Sequence, residues 1–159
     1  MQRMTLPYAS LSMSFIFPFP CERVFEWWTD LQPTGYVGLT LKKMDILKSE
    51  GNKTKVLTRW HYLWFSFTMV ETLVIESNEK WTWYSNFLGV PAVETFTLRK
   101  RSAGCELKIN SVMSPTGFRK VLFLLIGWYW RRIDKREWNS AAEACQRELS
   151  VTKGSHLPP

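Results

Sequence analysis

Apolar and polar residues alternate from Leu11 to Phe17, which puts Leu11, Met13, Phe15 and Phe17 on one face of a strand that Pro18 ends. Pro20 then stands where a helix can start. Glu22 suits the positive end of that helix dipole, and Val24, Phe25 and Trp28 form its apolar stripe. Pro33 and Gly35 leave room for a short second helical turn. Between Leu39 and Met113 strands are punctuated by turn signals, at Ser49-Glu50-Gly51-Asn52, Ser77-Asn78-Glu79, Gly89-Val90-Pro91 and Ser102-Ala103-Gly104. Such regular spacing predicts an antiparallel meander whose strands, each roughly ten residues long, must twist and curve.

After Ser114-Pro115-Thr116-Gly117 the period lengthens. Phe118, Leu122, Leu125, Tyr129 and Ile133 recur at helical spacing, and Trp138, Ala141, Cys145 and Leu149 continue the stripe. One helix of about 30 residues is expected, far longer than the usual three turns. Residues 150–159 hold Lys, Gly, Ser, His and two Pro and read as a disordered tail, which leaves a single domain over 8–149. The predicted class is α+β. A curved antiparallel sheet of about seven strands carries two short helices after its first strand, and the long C-terminal helix lies across its concave face. One helix cannot fill a deep concavity, so a cavity between the two is the expected by-product.

Three segments carry a family resemblance. Phe19-Pro20-Cys21-Glu22-Arg23-Val24-Phe25-Glu26-Trp27-Trp28-Thr29-Asp30 resembles the approach to the first helix in the START and Bet v 1-like (SRPBCC) helix-grip superfamily. Ile75-Glu76-Ser77-Asn78-Glu79-Lys80-Trp81 resembles its hairpin, with Ser-Asn where many members have prolines. Thr97-Leu98 followed by Gly104-Cys105-Glu106-Leu107 resembles its late hairpin, Cys105 taking the threonine position. The likeness spans about residues 10 to 149 and points to the polyketide cyclase/dehydrase-like branch. It implies a helix-grip fold that hosts carriers, cyclases and co-chaperone domains alike.

Strand parity proposes which side chains face the cavity. Lys53 and Lys55 belong in solvent, so Val56, Thr58, Trp60 and Tyr62 point inward, and the next strand offers Met69, Glu71, Leu73 and Ile75. Carried round the sheet, parity gives a ligand-facing set of Trp60, Tyr62, Glu71, Leu73, Trp81, Trp83, Ser85, Phe87, Glu94, Phe96, Leu107, Ile109 and Ser111. Leu122, Leu125, Ile126 and Tyr129 close it from the helix. No catalytic group is assigned, but Glu71 and Glu94 are the candidates for acid–base work or for anchoring a ligand. The competing expectation puts them at the sheet rim, solvated or paired with Arg. His61, beside Arg59, has outward parity and reads as a surface residue.

Composition narrows the function. Aromatic residues make up 15% of the 159, with nine Trp and ten Phe, more than closing a core requires, and they suit the lining of a pocket. The net charge of +7 permits an anionic partner, yet no nucleic-acid recognition motif accompanies the basic residues, so nucleic acid is not expected. Cys21, Cys105 and Cys145 are too scattered for a disulfide framework or a close-spaced zinc cluster, and Cys21 reads as a small buried filler. With two histidines and no phosphate-binding loop, neither a metal nor a cofactor is expected. The N-terminal stretch lacks a continuous apolar core and a cleavage site, so a cytoplasmic protein is expected, with Asn52-Lys53-Thr54 a chance sequon.

The leading expectation is a non-catalytic protein that holds a lipid, isoprenoid, quinone or aromatic molecule. A cyclase or dehydratase and a co-chaperone-like interaction module are the alternatives. Val121 to Trp130 is apolar nearly all round and Arg131, Arg132, Lys135 and Arg136 follow it. That surplus face suits a homodimer through the C-terminal helix, transient contact with a membrane surface, or cover by the Leu31–Val37 segment.

Overall fold

A computed structural model describes residues 9–31, 40–62 and 65–154. The elements follow in the order β1 (Ser10–Phe17), α1 (Cys21–Thr29), β2 (Leu41–Glu50), β3 (Lys53–Tyr62), β4 (Phe65–Ser77), β5 (Lys80–Phe87), β6 (Val90–Arg101), β7 (Gly104–Met113) and α2 (Phe118–Gly154). The seven strands form one antiparallel sheet in the order β1-β7-β6-β5-β4-β3-β2. Hairpins join β2 through β7 in sequence, while β1 pairs with the last strand, so α1 bridges the two edges. The second short helical turn expected at Pro33–Gly35 falls outside the described residues.

Parity holds across the sheet because inward residues meet inward residues in register. Phe15 stands opposite Leu107 and Leu107 opposite Leu98; Met13 meets Ile109, Ile109 meets Phe96, and Phe96 meets Trp81. Trp81 and Phe96 stack with ring centroids 5.2 Å apart, and Trp138 of α2 meets Phe96 edge-on at 5.3 Å. Trp28 of α1 and Cys145 and Leu149 of α2 complete this main core. A smaller cluster of Val90, Ala92, Met113 and Phe123 holds the opposite end.

α2 continues to Gly154, five residues into the segment expected to be a disordered tail, and Ser150 extends it by donating to the Gln146 carbonyl at 2.7 Å. Its buried side is Phe123, Gly127, Trp138, Ala141, Cys145 and Leu149, with Trp130 and Asp134 half-buried between them. The expected stripe therefore holds from Trp138 onward and runs one residue out of phase before it. Phe118, Leu122 and Leu125, read as core-facing, are exposed, Leu125 to 67% and Phe118 to 74%. The first half of the helix is apolar on every side, so periodicity there could not choose a face. Counting back from Trp138 in steps of three and four would have reached Asp134, Trp130, Gly127 and Phe123.

Cys21 and Cys105 form a disulfide, with Cα atoms 5.0 Å apart across a sequence separation of 84 residues. This corrects the reading of Cys21 as a filler thiol. Phe17 is in register with Cys105, and the short turn through Pro18 and Pro20 sets the first residue of α1 back over the same strand. Such bonds persist chiefly in oxidising compartments. Among the described residues no helix is long and apolar enough to cross a membrane.

Next to the disulfide, Gly104 has φ +140°, and a Cβ there would lie 2.0 Å from the Phe17 carbonyl oxygen. Gly104→Ala is expected to cost roughly 3 kcal/mol, through both the backbone conformation and the forced separation of β1 from β7. A lowered urea midpoint with an unchanged slope checks it; an unshifted midpoint refutes it.

Candidate functional site

The cavity arises where the bulk on the inner face of the sheet runs out. The row Ile109–Phe96–Trp81 is filled by large side chains. One step along, Ser111 is opposite Glu94 and Glu94 opposite Trp83; a further step gives Met113, Ala92 and Ser85. Rows in a strand lie about 7 Å apart, so within two steps rings give way to a hydroxyl, a methyl and a carboxyl. Between the two core clusters the sheet side chains do not fill the space beneath α2. What remains is a cavity of about 50 Å³ that opens in part to solvent. Its described lining includes Leu41, Trp60, Met69, Glu71, Ser85, Phe87, Ala92, Glu94, Ser111 and Met113 from the sheet side, and Trp130, Asp134, Glu137 and Trp138 from α2.

Four carboxyl groups share this space, and no Lys, Arg or His lines it among the described residues. Glu71 is only 7% exposed, and its burial pushes its pKa up to about 7, opposed by the neighbouring polar groups of Thr58 and Trp60, of which Trp60 donates to Thr58 at 2.8 Å. Burial also pushes Asp134 up to about 7, helped by the neighbouring Glu137 carboxylate and opposed by a hydrogen bond from Trp130. Glu94 is raised well above the usual carboxylate range, first by burial, then by Asp134 and Glu71; Ser111 Oγ donates to it at 3.4 Å. Thr40 donates to Glu137. The competing expectation for Glu71 and Glu94 is not met: neither is paired with Arg at the rim, and both face the cavity.

Of the other residues expected to face a ligand, Trp60, Ser85, Phe87 and Ser111 line the cavity, and Trp83 lines a contiguous extension with Leu41, Met44 and Trp138. Leu73, Trp81, Phe96, Leu107 and Ile109 point inward but belong to the packed core. Leu122 and Ile126 line a separate apolar groove with Leu88, Arg119 and Phe123. Phe87 and Trp130, with ring centroids 4.1 Å apart, wall that groove from the cavity. Leu125 faces outward, Tyr129 is half-buried and lines neither space, and the side chain of Tyr62 lies outside the described residues.

Asp134, Glu137, Trp130 and Trp138 are the cavity residues that sequence reading missed. A charged position looked like an interruption of the helical stripe, although it fits the phase set by Trp138. His61 is exposed as expected, its Nδ1 2.8 Å from Ser66 Oγ. Among the described residues no group of His, Cys, Asp and Glu is arranged to hold a metal ion. Cys145 is buried and its thiol is pushed up to about 12, chiefly by burial, which makes it a poor nucleophile.

A curved sheet gripping one long helix with a cavity between them is a recurrent architecture among solved structures. TTHA0849 from Thermus thermophilus superposes with a TM-score of 0.71 at 14% identity, over 87% of this chain and 98% of that one. The di-domain ARO/CYC StfQ from the steffimycin biosynthetic pathway gives 0.76 at 8% identity, over 92% of this chain and 52% of that one. Ara h 8.0201 gives 0.66 at 9% identity, over 89% and 97%. The chain has the Bet v 1-like helix-grip fold. No protein-family model and no curated protein matches the sequence, so the likeness is one of fold. Within the helix-grip frame the cavity occupies the space between grip and helix. Its charge content is set by this chain's own residues.

Proposed function

We propose that the protein binds a hydrophobic small molecule in the cavity between the sheet and α2. The observation that carries this is the abrupt change from the ring-filled row at Phe96 to the small residues Ser111, Ala92 and Ser85, with Trp60, Phe87, Trp130 and Trp138 forming aromatic walls. Apolar ligand surface buried there gains about 25 cal/mol per Å², and the polar groups orient it. The solved structures of similar fold include a polyketide_cyc-like protein, Cgl2372 from Corynebacterium glutamicum, at a TM-score of 0.62 and 17% identity. Naphthalene and anthracene derivatives are expected to quench tryptophan fluorescence saturably at one site per chain. Ser85→Phe, which fills the void, is expected to weaken that binding at least about tenfold. Undiminished binding by Ser85→Phe would place the ligand elsewhere.

A second reading is favoured by the carboxyls. Glu71 and Asp134 both titrate near 7, so at neutral pH the cavity holds proton donors and acceptors together, as acid–base catalysis of a cyclisation or dehydration requires. If a bound compound is turned over, Glu71→Gln is expected to lower kcat by about 100-fold or more; an unaltered kcat excludes Glu71 from that role.

A further inference from the structure

We propose that the ligand of this cavity is an organic cation: a hydrophobic molecule that carries an ammonium group. The inference rests on the binding reading above and names the chemical class of its ligand. Glu71 on β4, Glu94 on β6, and Asp134 and Glu137 on α2 face the space, and no Lys, Arg or His lines it among the described residues. In a chain with 21 Lys and Arg against 14 Asp and Glu, this lack of countercharge is local rather than general.

The protein meets these carboxyls with neutral polar side chains: Ser111 donates to Glu94 and Thr40 to Glu137, while Thr58 and Trp60 stand beside Glu71 and Trp130 beside Asp134. Donors aimed at a carboxyl favour its ionised form. A buried carboxylate that is solvated in this way but left without a countercharge is completed by a cation. That cation is organic rather than a metal ion, because the described carboxyls do not converge into a metal-holding group and the walls between them are aromatic. The faces of Trp60, Phe87, Trp130 and Trp138 attract a positive charge and its alkyl substituents together.

The test uses two matched probes, 2-(1-naphthyl)ethylamine and 2-(1-naphthyl)ethanol, titrated calorimetrically into the full chain. At pH 8 the ammonium is expected to bind at least about tenfold more tightly than the alcohol. The preference should shrink at pH 5, where Glu71, Glu94 and Asp134 take up protons. Binding at pH 7 should release protons, seen as heats that depend on the buffer. Glu94→Gln and Asp134→Asn, made singly, should each reduce the preference. If the alcohol binds as tightly as the amine, the charge inference fails while the cavity reading stands. If neither binds, both fail. A preference that survives in both variants seats the cation outside these carboxyls and overturns the assignment.

Discussion

Replacing Cys21 and Cys105 together by Ala lowers the melting temperature by roughly 10–15 °C. The bond closes a loop of 84 residues, and in the chain-entropy account such a loop is worth about 4–5 kcal/mol through the unfolded state it forbids. For a domain of this size each kcal/mol moves the midpoint by about 2–4 °C. Cys105 is fully buried, so the Ala pair also leaves a small void beside Phe17 and Leu107. Thermal unfolding of the wild type with and without a reductant checks the same quantity without mutation. A midpoint that ignores both reduction and the double variant would mean that the two sulfurs are not bonded in solution.

Glu71→Gln is expected to act in the opposite direction and to raise stability at pH 8 by up to about 3 kcal/mol, or roughly 6–12 °C. The unfolded carboxyl titrates near its ordinary value of 4.5 and the folded one near 7. A folded value above the unfolded one means that the native state holds the proton more tightly. Its contribution is therefore complete below pH 4.5 and is lost as pH rises through 7. Glu94 and Asp134, also raised, act with the same sign over the same rise. Exposed Glu22 and Glu76 and half-buried Glu106, held low by hydrogen bonds and by lysine or arginine neighbours, act below this window. Urea midpoints measured from pH 4.5 to 8 should fall for the wild type and fall less for Glu71→Gln. Parallel profiles would show that Glu71 is solvated in the native state. The gain at high pH would also mark Glu71 as retained for something other than stability, as a binding or catalytic carboxyl would be.

The aromatic surplus illustrates how far sequence reading reached. Parity correctly turned Trp81, Phe96, Leu107 and Ile109 inward. It could not tell a ring that packs against another ring from a ring that faces a void. Trp81 is inward and stacked on Phe96; Trp60 is inward and faces the cavity. The difference lies in what stands across the gap, the Phe25 ring edge-on to Trp81 at 5.6 Å in one case and the cavity in the other. The same blindness explains Asp134. Taken alone it is a charge on a helix, and only its position opposite Glu94 makes it part of a site.

The order of elements, the turn positions, the inward faces of β1 and of β3 through β7, and the buried stripe of α2 from Trp138 onward were all written in the sequence. Each is a local property: a two-residue or 3.6-residue period reports directly which side of a segment is dry. The tertiary structure alone decided the pairing of Cys21 with Cys105 and the split of the inward residues between packed core and open cavity. These depend on which side chains meet across long separations in the chain, as Cys21 and Cys105 do at a separation of 84. No local period carries that information, because the meeting is made by the curvature of the sheet and the seat of the helix upon it.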